Sequence, residues 1–184
     1  MYPTDITDSH WEVIKNNLNR KIWGRKRKYS IRLIINAILY VTKTGIQWRM
    51  LPNDFPDWEL VYYYHKMWSK KGVVKQTHDS LVVQTRLENG KETSPSLGLV
   101  DSQTVKTMSF TTEKSYDGNK KMVGRKRFAV TDTLGLILGL LIVPANTGER
   151  DGAFQTFAKL KGRFSRLVKI LADQGRFRRC DLTE

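Results

Sequence analysis

The chain has 184 residues, 40% of them apolar, which is enough for one or two domains with real cores. Its formal net charge of +14 and isoelectric point near 10.0 predict a polyanionic partner, with nucleic acid the first candidate. One cysteine, Cys180, excludes an internal disulfide and a cysteine-rich zinc cluster, and three scattered histidines leave no His/Cys ligand spacing.

Residues Met1-Tyr2-Pro3-Thr4-Asp5 do not read as a signal peptide. Thr7 is placed to cap a first helix, with Ile6 stapling against Trp11. Trp11, Ile14 and Leu18 share its apolar face. The run Arg20 to Lys28 then carries six basic residues around Ile22, Trp23 and Gly24. It reads as a phosphate-neutralising loop rather than a solvated linker, with Arg25, Lys26, Arg27 and Lys28 as candidate DNA contacts.

Ser30 caps a second helix, in which Ile31, Ile34, Ile35, Ile38 and Val41 keep helical spacing until Gly45 stops it. The connector Trp48-Arg49-Met50-Leu51-Pro52 is apolar enough to pack inward. Asp57 caps a third helix that ends at Gly72. Its stripe Trp58, Val61, Tyr62, His65 and Trp68 reads as core, not as ligands. A fourth helix runs from about Val74 to Leu87. Four short helices predict a helix-turn-helix-like bundle that could lay one helix in a major groove. Spacing does not say which helix. Asn89-Gly90 and Pro95 mark a boundary, giving a helical DNA-binding domain over 1–90 and a second domain over 91–184.

The second domain opens with a strand, Leu97-Gly98-Leu99-Val100, that ends on Asp101. The polar residues that follow, through Glu113, Asp117 and Asn119, read as a loop. Lys120 to Arg127 carries five basic residues around Gly124 and leads into a strand from Phe128 to Thr131. Asp132-Thr133-Leu134-Gly135 turns the chain into a partner strand, Leu136 to Val143, which Pro144 stops. The apolar run here, Leu134 to Ala145, is broken by two glycines and Pro144. It falls short of the roughly 20 residues that a bilayer span needs, so no membrane partner is expected and the location reads as cytoplasmic and nucleoid-associated. A helix with Ala153, Phe157, Leu160 and Phe164 on one face follows, then a strand from Leu167 to Ala172 that ends on Asp173. The fold class is α/β with a mixed sheet.

Asp101 and Asp173 are the candidate catalytic, metal-binding pair. Each carboxylate follows an apolar run, which puts it at the mouth of a sheet where ligands bind. Hard oxygens suit Mg2+ or Mn2+, and two such ions can activate a nucleophile and stabilise the leaving oxygen of a phosphodiester. For either acid alone, a turn role has equal weight; together, on so basic a chain, they favour a metal site. Asp132 reads as a turn residue, and Glu149 and Asp151 as acids suited to a helix N-terminus. No Ser/His/Asp arrangement has supporting context. The blocks Gly118-Asn119-Lys120-Lys121 and Gly124-Arg125-Lys126-Arg127 lack P-loop spacing. Lys106, Lys120, Lys121, Arg125, Lys126 and Arg127 therefore read as contacts to double-stranded DNA.

Several blocks occur in an order that resembles a known family. They are Leu51-Pro52, Trp58 with Val61-Tyr62-Tyr63-Tyr64, Asp101-Ser102-Gln103-Thr104-Val105-Lys106, Gly124-Arg125-Lys126-Arg127, Asp132-Thr133-Leu134-Gly135-Leu136, Arg150-Asp151-Gly152-Ala153 and Ala172-Asp173-Gln174-Gly175. On these the chain resembles bacterial insertion-sequence transposases of family 5, of the DDE class with an RNase H-like core. The resemblance implies that Asp101 and Asp173 are the first two acids of a catalytic triad acting with Mg2+. It further implies binding of element ends, cleavage and strand transfer into target DNA.

Three departures stand out. Phe128 replaces a histidine of the family pattern, and Arg176 replaces an aromatic. The helix bearing the third acid, a glutamate, lies beyond where this chain stops. The core is thus expected to be incomplete, a truncated copy or a first frame whose second-frame product supplies the rest, with homo-oligomerisation a further expectation. The alternative is a non-catalytic DNA-binding fragment that represses its own element; a weaker one is an RNase H-type nuclease.

Overall fold

The structure, a computed structural model, describes residues 2–18, 27–107, 115–118, 120–172 and 180–181. The chain divides into two compact units, Met1–Glu88 and Asn89–Glu184.

The first unit holds helices α1 (Asp8–Leu18), α2 (Ile31–Thr44), α3 (Trp58–Lys70) and α4 (Val73–Glu88), with a 3-10 turn at Trp48–Met50. The ends form where short-range chemistry places them. The Thr7 hydroxyl accepts from the His10 amide at 3.3 Å, and Ser30 Oγ accepts from the Leu33 amide at 3.1 Å. Asp57 Oδ1 accepts from the Glu59 amide at 2.9 Å; such caps satisfy amides that the first helical turn leaves without partners. Gly45 and Gly72 take left-handed backbone, φ 70 and 71, at the ends of α2 and α3. One core joins Ile14 and Leu18 to Ile31, Ile34, Ile35, Trp68 and Val73, with Ile6 and Trp11 against it. A second joins Ala37, Phe55 and Val61, with Trp48 and Leu51 against it. Two expectations change here. Of the α3 stripe, Val61 and Trp68 are buried but Tyr62 is 39% exposed, because α3 packs on one side only. In the connector, Trp48 and Leu51 turn inward while Met50 is exposed.

The second unit is a mixed sheet with one crossover helix. Its described strands are β1 (Leu97–Lys106), β2 (Ser115–Asp117), β3 (Met122–Thr131), β4 (Ile137–Pro144), β5 (Lys169–Ala172) and β6 (Cys180–Asp181). The path runs β2-β3-β1-β5-β6, and β4 also pairs with β3. All pairs are antiparallel except β1 with β5, which is parallel. Helix α5 (Glu149–Leu160) makes the connection that a parallel pair requires.

Strands β1 and β3 are longer than their apolar runs. Eight cross-strand pairs, Leu99↔Thr131 to Lys106↔Gly124, carry both through residues that read as loop. The backbone ladder is satisfied irrespective of side-chain polarity, so the polar residues of β1 and the basic block of β3 alternate in and out. Residues 115–117, also read as loop, form β2 against Met122–Gly124. Helix α5 covers one sheet face. Phe128 and Val130 are fully buried there, with Leu138, Leu141, Phe157 and Leu160. The approach is close enough to require glycine. A Cβ on Gly152 would fall 2.1 Å from the Phe128 ring, and one on Gly139 would lie 2.8 Å from Leu160 Cδ2. The opposite face leaves Leu99, Leu140, Ile142 and Leu171 between 40% and 57% exposed.

Candidate functional site: an acid on the open face of the sheet

Asp101 is exposed and lies mid-strand in β1, opposite Ala129 of β3. It is not at the mouth of the sheet, as the apolar run suggested, because β1 continues five residues beyond it to Lys106. Residues of alternating parity share a face. Asp101 therefore stands on the open face with Leu99, Gln103 and Val105, and with their cross-strand partners on β3, which include Arg127 and Arg125. Arg127 Nε donates to Gln103 Oε1 at 3.0 Å, which holds one guanidinium beside the acid's strand. Lys169, paired with Leu97, adds a third cation to this face. The β6 register sets a second acid, Asp181, opposite Lys169, and among the described residues no hydrogen bond or ion pair engages Asp101.

On the other side of β1 the parallel register runs Leu97↔Lys169, Gly98↔Ile170, Leu99↔Leu171 and Val100↔Ala172. Asp101 and Asp173 are the next residues in sequence after that last pair. Asp173 lies outside the described residues, as do Arg25 and Lys26. A divalent ion of the Mg2+ kind takes several hard oxygen ligands. Asp101 has the right donor chemistry but supplies one carboxylate. Among the described residues, no three His, Cys, Asp or Glu side chains come together.

The predicted DNA contacts divide. Arg27, Lys28, Lys106, Lys120, Lys121 and Arg127 are exposed, and Arg125 is half-buried. Lys28 sits 5.1 Å over the Tyr29 ring, and Lys120 Nζ donates to the Ser102 carbonyl at 3.4 Å. Lys126 is corrected. It alternates to the covered face and is 3% exposed. Its ammonium donates to the Thr147 carbonyl at 3.0 Å and lies 3.5 Å from Asp117 Oδ2. The same Asp117 oxygen accepts from the Thr104 hydroxyl at 2.6 Å, and Asp117 Oδ1 accepts from the Lys120 amide at 3.2 Å. A buried ammonium must be compensated, and this cluster compensates it, so Lys126 has no face to offer DNA. Asp117, ranked as a loop acid, is its partner. The signal was present in Asp117-Gly118, a hairpin dipeptide: the turn it opens joins β2 to β3, with Lys121 in left-handed backbone at φ 49. Asp132 is a turn residue as read. It is fully buried, and its Oδ1 accepts from the amides of Leu134 and Leu136, each at 2.9 Å.

The comparisons cover both units. Residues 6–78 match the family described as "Putative transposase of IS4/5 family". Residues 92–179, which include strands β1 to β5 and Asp101, match the family described as "Transposase DDE domain". No curated protein and no solved structure shows a significant match. The class is thus that of the DDE transposases, whose chemistry depends on a divalent metal. Within it, the chain belongs to the IS4/5 family of insertion-sequence transposases. Among the described residues, no helix is long and apolar enough to cross a membrane.

Proposed function

We propose that the chain binds the ends of its insertion sequence and carries the first two carboxylates of a site for DNA cleavage and strand transfer, Asp101 and Asp173. The observation that carries this reading is the parallel pairing of β1 with β5. Its last pair, Val100↔Ala172, immediately precedes both acids in sequence, and one further step of that register would set them side by side. The order β4-β3-β1-β5 with α5 as crossover supports an RNase H-like core. Asp101 and Asp173 would hold the metal, Mg2+ or Mn2+. The chemistry such an ion would supply there is activation of a water or a DNA 3′-hydroxyl and stabilisation of the leaving oxygen. The chain's own cations do the positioning: Arg125, Arg127 and Lys169 share the open face with the acid, where they bind the phosphate backbone.

A second reading is a DNA-binding protein without catalysis, supported by the formal net charge of +14, which favours a polyanionic partner and requires no reaction. One experiment separates the two. The full chain is incubated with a duplex bearing its element's end, with Mg2+ or Mn2+. The transposase reading expects metal-dependent nicking that Asp101→Asn abolishes while duplex binding persists. Binding without nicking in either metal leaves the second reading.

A further inference from the structure

The open question in the first unit is which helix faces DNA, and burial answers it by elimination. Helix α2 is the centre of the core, with Ile31, Ile34, Ile35, Ala37 and Val41 buried. The exposed residues of α1 include Asp8 and Glu12, and Glu12 takes Lys15 as its partner. On α4, Lys75 is neutralised by Asp79 at 2.8 Å, and Val74, Val83 and Leu87 are exposed alongside it. Helix α3 differs. Its exposed residues Glu59, Tyr62, Tyr63, Lys66, Ser69 and Lys70 fall within an arc of roughly 120° at about 100° per residue. Buried Val61 and Trp68 lie on the far side. Tyr63 is 59% exposed, and Tyr62 is braced by Trp48 at 5.3 Å and by Lys66 over its ring at 5.9 Å. Among the described residues no carboxylate pairs with Lys66 or Lys70. Arg49, stacked 5.2 Å over Trp58, adds a cation at the start of the helix.

We propose that the exposed stripe of α3 is the surface with which the first unit binds duplex DNA: Lys66 and Lys70 on phosphates, Tyr62 and Tyr63 at base edges. The inference rests on the reading of the chain as DNA-binding and assigns that binding to a place. Charge selects the occupant. Two lysines without a carboxylate partner among the described residues, in a stripe with a single acid, suit a polyanion, and a helix of this width fits the major groove. The phenol hydroxyls can donate to or accept from base edges, and their rings are already held by packing.

The test uses the full chain and a labelled 30-base-pair duplex of mixed sequence, titrated at several salt concentrations. Losing two phosphate contacts in the Lys66→Ala/Lys70→Ala double variant should flatten the slope of log affinity against log salt by about 1.8. A Lys15→Ala/Lys43→Ala variant, with the same charge change on α1 and α2, should move it by less than half as much. Tyr62→Ala and Tyr63→Ala should change the sequence selected from a random duplex pool, as base-edge contacts do and phosphate contacts do not. All four side chains are at least partly solvent-facing, and an unchanged thermal midpoint confirms folding. Equal slopes for the two lysine pairs, with unchanged selection by the tyrosine variants, would overturn the assignment while leaving DNA binding intact. A wild-type chain that binds no duplex at any salt would overturn the assignment and the DNA-binding reading together.

Discussion

Lys126 and Arg127 are consecutive in sequence and opposite in fate. Lys126 enters the covered face of the sheet and is locked to Asp117, Thr104 and the Thr147 carbonyl. Arg127 leaves on the open face and leans on Gln103 near Asp101. The difference is one step of strand alternation. It shows that a basic block inside a strand is two populations, one that holds the fold together and one that meets the ligand. The covered face is packed to the point of excluding a methyl group at Gly152; the open face carries its cations beside large, exposed apolar side chains.

The comparison breaks hardest at Lys126. Lys126→Ala strands the buried Asp117 carboxylate and should cost about 3–5 kcal/mol, read from the urea midpoint of the full chain. A loss under about 1 kcal/mol would mean that the cluster does not hold the sheet. Next, Gly152→Ala should cost about 1–3 kcal/mol by overpacking against Phe128, visible in the same measurement. The smallest stability effect belongs to Arg127→Ala, within about 0.5 kcal/mol as for an exposed site, but its duplex affinity should lose about 0.9 of salt slope. If Lys126→Ala lost salt slope in a still-folded chain and Arg127→Ala did not, the assignment of faces would be reversed.

Local chemistry was legible in the sequence. Ser30, Asp57, Gly45 and Gly72 mark helix ends because caps are decided within four residues. The turn at Asp132 was legible for the same reason. The lengths of β1 and β3 were not. Residues 102–106 and 122–127 lack an apolar run, and only the pairing of the two segments reveals them as strands. Asp117 was passed over because its partner is nine residues away, across a hairpin. Phe128, a departure from the family pattern, is explained by its burial beneath α5, where a ring fits against a residue without a side chain. The stripe on α3 was read as core because apolar periodicity names a face without saying how wide the packed sector is.

The parallel pairing of β1 with β5 joins Leu97 to Lys169, 72 positions apart in the chain (169 − 97). Hairpins such as β3–β4 can zip up soon after leaving the ribosome, but this contact must wait for the whole crossover helix and carries the larger loop-closure entropy. The strand bearing Asp101 therefore acquires its β5 neighbour only after β3, β4 and α5 have emerged, and the nascent protein can pair β1, β3 and β4 before the edge next to that acid is closed.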